Sequence, residues 1–130
     1  MRSIHRIVSA ALGLAVVAVA MGTAPYLAAH AAHFQEAPPS AAAMTNPYQG
    51  KSDAVAAGKK LYGQNCAQCH GHNRQGIGPA PALDSPEVKS AKPGQLFWFI
   101  TTGEAASGMP SWSGLPKQQR WQIVTFLQAK

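Results

Sequence analysis

The only two cysteines of the 130-residue chain, Cys66 and Cys69, stand three positions apart, and His70 follows the second directly. A disulfide between residues this close would close a very small loop and stabilise the fold little. Redox-active Cys-x-x-Cys pairs are typical of a βαβ setting, and the sequence shows no alternating strand pattern. A zinc site needs four ligands, and only scattered histidines remain to supply the others. The pair therefore indicates a different chemistry.

Cys-x-x-Cys-His is the pattern of covalent c-type haem attachment. Two thiols on one turn can each add to a vinyl group on the same edge of a porphyrin. The next residue, His70, then lies under the ring with an imidazole nitrogen facing the iron. The sequence predicts one covalent haem c bound by Cys66 and Cys69, with His70 as an iron ligand. A disulfide or a zinc site remains the alternative.

The N-terminal segment has the features of a secretory leader. Arg2 and Arg6 precede an uncharged apolar run over residues 7–21, and small residues follow as far as Ala32. We expect residues 1–31 to be a signal peptide cleaved after Ala31, and the protein to be exported to the periplasm. The alternative is a retained membrane anchor, for which the run is short against the roughly 20 apolar residues that a span needs.

The predicted mature chain is mildly basic. Without Arg2 and Arg6, Lys plus Arg falls from 11 to nine against five Asp plus Glu, a net charge of about +4. No block of basic residues and no nucleic-acid motif is present, which argues against a nucleic-acid partner. A mild positive surface suits steering toward an acidic protein partner. No Ser/His/Asp set or pair of carboxylates indicates a hydrolytic site.

Beyond the leader the sequence predicts an irregular arm and a helical domain. Residues 32–51 are rich in Pro, Ala and polar residues, which favours a flexible linker. In residues 52–130 the apolar spacing predicts an all-α domain with three main helices, from Ser52 or Asp53 to about Asn65, from Pro93 to Thr102, and from Pro116 onward. Ser85 and Pro86 favour a further short turn of helix. The apolar run over 96–100 also allows a buried strand, although its Pro start and Gly stop favour helix.

Two Gly/Pro-rich loops, over residues 71–83 and 104–114, join these helices. A domain near 80 residues with two long loops buries only a modest core. Such a domain usually needs a staple. A large apolar prosthetic group between the loops would serve as one.

The chain resembles the small class I cytochromes c over roughly Asp53 to Gln128. The similar motifs are Gly58–Tyr62, Cys66–Gly71, Gly76–Pro79, Gly108–Pro110 and Ile123–Leu127. The resemblance implies a class I cytochrome c fold around one covalent haem, in which the first and last helices cross. It also implies that Gly58 lets Phe126 cross the first helix closely.

The second axial ligand must come from a loop on the other face of the ring, and Met109 fits, 39 residues after His70 and between Gly108 and Pro110. Its soft thioether suits iron. Met44, in the predicted linker, is the rival. The resemblance further implies that the carbonyl of Pro79 accepts a hydrogen bond from His70.

Several apolar residues are candidates for the walls of a haem pocket. Leu83 and Phe99 belong to this set together with Leu96, Phe97 and Ile100, and Trp98 is a candidate for a propionate contact, as are Trp112 and Trp121. Ordinary core packing accounts for each equally well. Arg74 is a candidate for neutralising a propionate, with a plain surface charge as the alternative.

A haem iron with two protein ligands has no open position, so we expect a one-electron carrier and not an enzyme. The C-terminal half resembles cytochromes encoded with periplasmic dehydrogenases, which implies a dehydrogenase donor and passage toward the respiratory chain. A terminal oxidase or another cytochrome is an equally good candidate for the redox partner. The alternative functions are a haem enzyme or gas-binding sensor with a labile Met109, and a thiol protein without haem.

Overall fold

The computed structural model describes residues 33–130, and the predicted leader over residues 1–31 lies outside the described residues. Within 33–130 the chain forms helices and isolated β-bridges but no strand. The helices are α1 (Pro39–Ala42), α2 (Ser52–Asn65), α3 (Ala67–His70), α4 (Pro86–Ser90), α5 (Pro93–Thr102) and α6 (Lys117–Gln128), with 3-10 turns at His33–Glu36 and Ala105–Ser107. The predicted all-α class is confirmed.

Helices α2 and α6 form the most extensive helix pair, and they cross at Gly58. A Cβ at Gly58 would overlap the backbone carbonyl of Gln122 and lie 2.8 Å from Cβ of Phe126. One turn further along α2, the buried Tyr62 packs its ring 5.3 Å from that of Phe126. The close crossing predicted at Gly58 is confirmed, because only a hydrogen atom fits there.

Helix α5 is apolar on both sides. Leu96, Phe97 and Ile100 are buried in the core, where the ring of Phe97 stacks on Trp121 with centroids 4.1 Å apart. Trp98 and Phe99 are only half-buried. The run over 96–100 is therefore helical and not a strand.

Residues 33–51, predicted as part of a flexible linker, instead pack against the helices; we call them the arm. Phe34 and Ala41 are buried, and Asn46 donates a hydrogen bond to the Thr125 hydroxyl of α6 at 2.9 Å. The carbonyl of Ala41 approaches Gly94 so closely that a Cβ there would clash. The linker prediction is wrong because these contacts are made to residues distant in sequence, which local composition does not reveal.

The helix boundaries follow the sequence closely. Ser85 caps α4, its hydroxyl accepting a hydrogen bond from the Val88 amide at 3.4 Å. Helix α2 begins at Ser52 with Lys51 as its N-cap residue, so neither Ser52 nor Asp53 caps it. No helix within residues 33–130 is long and apolar enough to cross a membrane.

Candidate haem site

The two cysteines and His70 lie on a single turn of helix. Cys66 ends α2, its amide donating to the Tyr62 carbonyl at 2.8 Å, and is also the N-cap residue of α3. The His70 amide donates to the Cys66 carbonyl at 2.9 Å, which closes the turn. Residues three and four apart on a helix share a face, so Cys66, Cys69 and His70 point to the same side. This is the arrangement that attachment through two thiols needs.

Both thiols are free, with Cys66 half-buried and Cys69 exposed. Burial, and secondarily the neighbouring Cys69, raises the pKa of Cys66 to about 11. Cys66 is therefore a neutral thiol at neutral pH. A thioether carries no charge and suits the same position. Residues 33–130 contain no cluster of three or more His, Cys, Asp or Glu able to hold a metal ion, which argues against zinc.

The imidazole of His70 is oriented by a backbone carbonyl. Its Nδ1 lies 2.9 Å from the carbonyl oxygen of Pro81. With the proton on Nδ1, Nε2 carries the free lone pair that an iron ligand requires. The donor set therefore fits a haem iron bound through His70.

The resemblance implied that the accepting carbonyl belongs to Pro79. In the structure it belongs to Pro81. The chain reverses between Ile77 and Ala80, whose amide donates to the Ile77 carbonyl at 3.1 Å. Pro79 lies inside this turn and is exposed, and the chain returns to His70 two residues later. The sequence contains two prolines separated by Ala80, and only the turn decides which one faces the histidine.

Met109 is held in a short closed segment, the Met109 loop (residues 103–110). Its amide donates to the Glu104 carbonyl at 3.0 Å, and its carbonyl accepts from the Glu104 amide at 2.9 Å. Gly103 and Gly108 have φ of 68° and 82°, a backbone region that glycine adopts without strain. The side chain of Met109 is half-buried against the core. Its ligation of iron stays a prediction.

Met44, the rival ligand, lies in the arm. Its carbonyl faces Gly94 near the start of α5, whereas the Met109 loop follows the end of that helix. Its side chain is half-buried against the core. Packing accounts for Met44.

The candidate pocket residues fall into two groups. Leu83 and Phe99 pack against the core and stay half-buried, and Trp98 is also half-buried. Leu96, Phe97, Ile100 and Trp121 are buried in the core instead. Between residues 71 and 83 only Gly71 is buried, Ile77 is 52% exposed, and no residue from 104 to 114 is buried. Both loops therefore present apolar groups that a large apolar ring would cover, and the residues fit a haem.

Two polar contacts that sequence reasoning missed hold the haem-attachment loop. The buried Tyr62 hydroxyl donates to the Gly71 carbonyl at 2.7 Å, and desolvation raises its pKa to about 12. Arg74 donates from Nη1 to the Phe126 carbonyl at 3.2 Å and lies 4.8 Å over the Phe126 ring. Arg74 is therefore not a plain surface charge, and its contact with a propionate stays a prediction. Its cation lies where the α6 dipole is negative. No local sequence signal reveals a contact across 52 positions.

Comparison with known proteins decides the family. Residues 53–127 match the family described as cytochrome c oxidase, cbb3-type, subunit III. The chain belongs to this family. It is a class I monohaem cytochrome c, as the sequence resemblance predicted, and its cofactor is a covalently bound haem c. The match covers the helical domain, both loops and the Cys66–His70 turn.

Two similar proteins illustrate the relationship. The chain is 38% identical over 71 residues to the cbb3-type cytochrome c oxidase subunit CcoP of Azospirillum brasilense, covering 48% of this chain and 24% of that protein. The crystal structure of cytochrome cL from the methylotroph Methylophaga aminisulfidivorans superposes with a TM-score of 0.54 at 30% identity, covering 62% of this chain and 55% of that one. The chain thus spans about a quarter of the first and about half of the second. Their common domain implies haem-based electron transfer.

Proposed function

We propose that the protein is a periplasmic one-electron carrier with His70 and Met109 as the axial ligands of its haem iron. The main support is the contact between His70 and the Pro81 carbonyl, which fixes the imidazole and leaves Nε2 free to bind iron. Bound haem c supplies the reversible Fe(III)/Fe(II) couple. The chain's own part is to orient His70, present Met109 and keep the surroundings apolar.

The protein residues support a carrier better than a catalyst. Met109 lies in a segment closed by two backbone hydrogen bonds to Glu104, which fix the backbone that presents its side chain. Two protein ligands would leave no position for a substrate on iron. A haem enzyme or gas-binding sensor requires the Met109 loop to open. Binding of an external ligand to the iron distinguishes such a protein from a carrier.

The electron donor we propose is a periplasmic dehydrogenase, and the acceptor belongs to the respiratory chain. The sequence resemblance of the C-terminal half to dehydrogenase-associated cytochromes supports this donor. The second candidate is a subunit that delivers electrons within a terminal oxidase. The match to the cbb3-type oxidase family and to a CcoP subunit favours it.

Met109→Ala tests the ligation in the haem-loaded protein, with Met44→Ala as the matched control. We expect Met109→Ala to abolish the far-red thioether-to-iron charge-transfer band of the oxidised protein, to lower the reduction potential, and to let the reduced protein bind carbon monoxide. Met44→Ala should change none of these three. An unchanged potential in Met109→Ala would remove Met109 from the iron. A wild-type protein that lacks the band and binds carbon monoxide readily would support the sensor.

Isolation of the native protein from its host distinguishes the two partners. A dehydrogenase that copurifies from the periplasm and reduces the oxidised protein supports the carrier. Recovery in a membrane complex that oxidises the reduced protein with oxygen supports the oxidase subunit. A pyridine haemochrome spectrum without a c-type band would refute both.

A further inference from the structure

The arm begins beside the Met109 loop. Nδ1 of His33 donates to Oε2 of Glu104 at 3.0 Å, with the two side chains 41% and 25% exposed. Glu104 is also the residue whose amide and carbonyl both pair with Met109. One residue therefore links the start of the arm to the backbone of Met109.

The position of His33 is fixed by the rest of the arm. Phe34 is 5% exposed and belongs to the core cluster that includes Phe97, and its 3-10 turn packs on α5. The Ala41 carbonyl meets Gly94 at the start of α5, whereas His33 lies just past the end of that helix. The arm thus runs antiparallel along α5, with its buried side chains facing the core.

We propose that the arm is a strap that positions Met109, with His33 and Glu104 as the positioning residues. The proposal rests on the proposed His70/Met109 ligation. Cleavage at the expected position after Ala31 leaves both His33 and Phe34 in the mature chain.

The Met109 loop has few hydrogen bonds to the rest of the protein. The Gly103 amide donates to the Phe99 carbonyl of α5 at 2.8 Å, and the remaining backbone hydrogen bonds are internal, from Ser107 to the Glu104 carbonyl at 3.1 Å and from Gly108 to the Ala105 carbonyl at 3.1 Å. The C-terminal side is tied to α5 by the Ser111 hydroxyl, which donates to the Thr101 carbonyl at 2.7 Å. On the N-terminal side the Glu104 side chain adds a contact with the arm to the backbone bond of Gly103.

The strap should control how often Met109 leaves the iron. An external ligand such as imidazole binds only the Met-off state, so its apparent affinity scales with the population of that state. Loss of one partly exposed contact should raise this population by about two- to fivefold. We therefore expect a measurable but modest gain in imidazole affinity.

The test uses the full-length, haem-loaded protein with His33→Ala, Glu104→Ala and the double substitution. Imidazole titration of the oxidised protein should show a gain of about two- to fivefold for each single variant, with a weaker far-red charge-transfer band. The double variant should match the single ones, because both remove the same contact. His72→Ala, which changes an exposed histidine of the 71–83 loop, should leave affinity and band unchanged.

Single variants with wild-type imidazole affinity overturn the strap, as does a double variant whose effect is the sum of the two. Far-UV circular dichroism verifies that the variants are folded. Failure of the underlying ligation is a separate result. In that case the wild-type protein itself lacks the far-red band and Met109→Ala leaves its spectrum unchanged.

Discussion

The crossing of α2 and α6 allows a sharp test with two glycines of the same helix. Gly58 faces α6, where an added Cβ would overlap the Gln122 carbonyl and lie 2.8 Å from Cβ of Phe126. Gly63 lies five residues further along α2 and has no heavy atom within 4 Å of an added Cβ. Gly58→Ala and Gly63→Ala therefore make the same chemical change, once inside the contact and once outside it.

The two substitutions share a favourable term and differ in the clash. In a helix interior, Gly to Ala stabilises by about 0.8–1.0 kcal/mol. At Gly58 the opposing atoms belong largely to the backbone, so the helices must separate, and overpacking of this kind costs about 1–3 kcal/mol or more. We expect Gly63→Ala to stabilise the protein by up to about 1 kcal/mol. Gly58→Ala should be less stable than Gly63→Ala by about 1–3 kcal/mol, the cost of the clash.

The assay is denaturant unfolding of the haem-loaded protein followed by far-UV circular dichroism, with thermal melts in parallel. In a domain of this size, 1 kcal/mol shifts the midpoint by about 4–8 °C. The far-red charge-transfer band should be retained in both variants, because neither glycine touches the haem-attachment turn. Equal stability of Gly58→Ala and Gly63→Ala would refute the close crossing, since the clash is the only difference between them.

Two further predictions concern polar contacts. Asn46→Ala should lower the free energy of unfolding by about 1–3 kcal/mol, because the buried Thr125 hydroxyl then loses the side-chain amide that donates a hydrogen bond to it. Asn73→Ala, at an exposed position, should change the free energy of unfolding little. Equal effects of the two substitutions in denaturant melts would mean that Asn46 does not anchor the arm. Tyr62→Phe tests how stability depends on pH. Burial raises the pKa of Tyr62 from 10.0 to about 12, so the phenol loses its proton at lower pH in the unfolded chain than in the folded protein. The free energy of unfolding should therefore fall as pH rises from 10.0 to about 12. Tyr62→Phe should flatten that decline, and an unchanged slope of stability against pH in this variant would contradict the reasoning.

Local sequence signals predicted the elements that are determined locally. The span of α2 and that of α5 follow from apolar spacing and from the Pro93 start and Gly103 stop, and both spans match the structure. The Cys66–His70 turn could be predicted because attachment chemistry needs a fixed spacing. Ser85 was readable as a start signal because its hydroxyl bonds an amide three residues away.

The features that the sequence did not reveal depend on contacts between distant residues. The arm lacks helical periodicity, yet Asn46 bonds Thr125, 79 positions away, and Phe34 enters the core. Arg74 reaches carbonyls at the end of α6, also far along the chain. The exchange of Pro79 for Pro81 is a different kind of error, because Pro79 was implied by the family resemblance, whereas the turn at Ile77 brings the Pro81 carbonyl to His70.

The distribution of buried side chains indicates that the haem is part of the core as well as the cofactor. The buried core residues come from the helices and the arm, whereas the loops 71–83 and 104–114 contribute no buried side chain. Polar contacts such as Tyr62 to Gly71 and Glu104 to Met109 hold these loops. Each such bond contributes about 1 kcal/mol net, about the entropy cost of ordering one residue. Because neither loop buries a side chain of its own, apolar contact with the haem that Cys66 and Cys69 attach would supply the core that these loops lack.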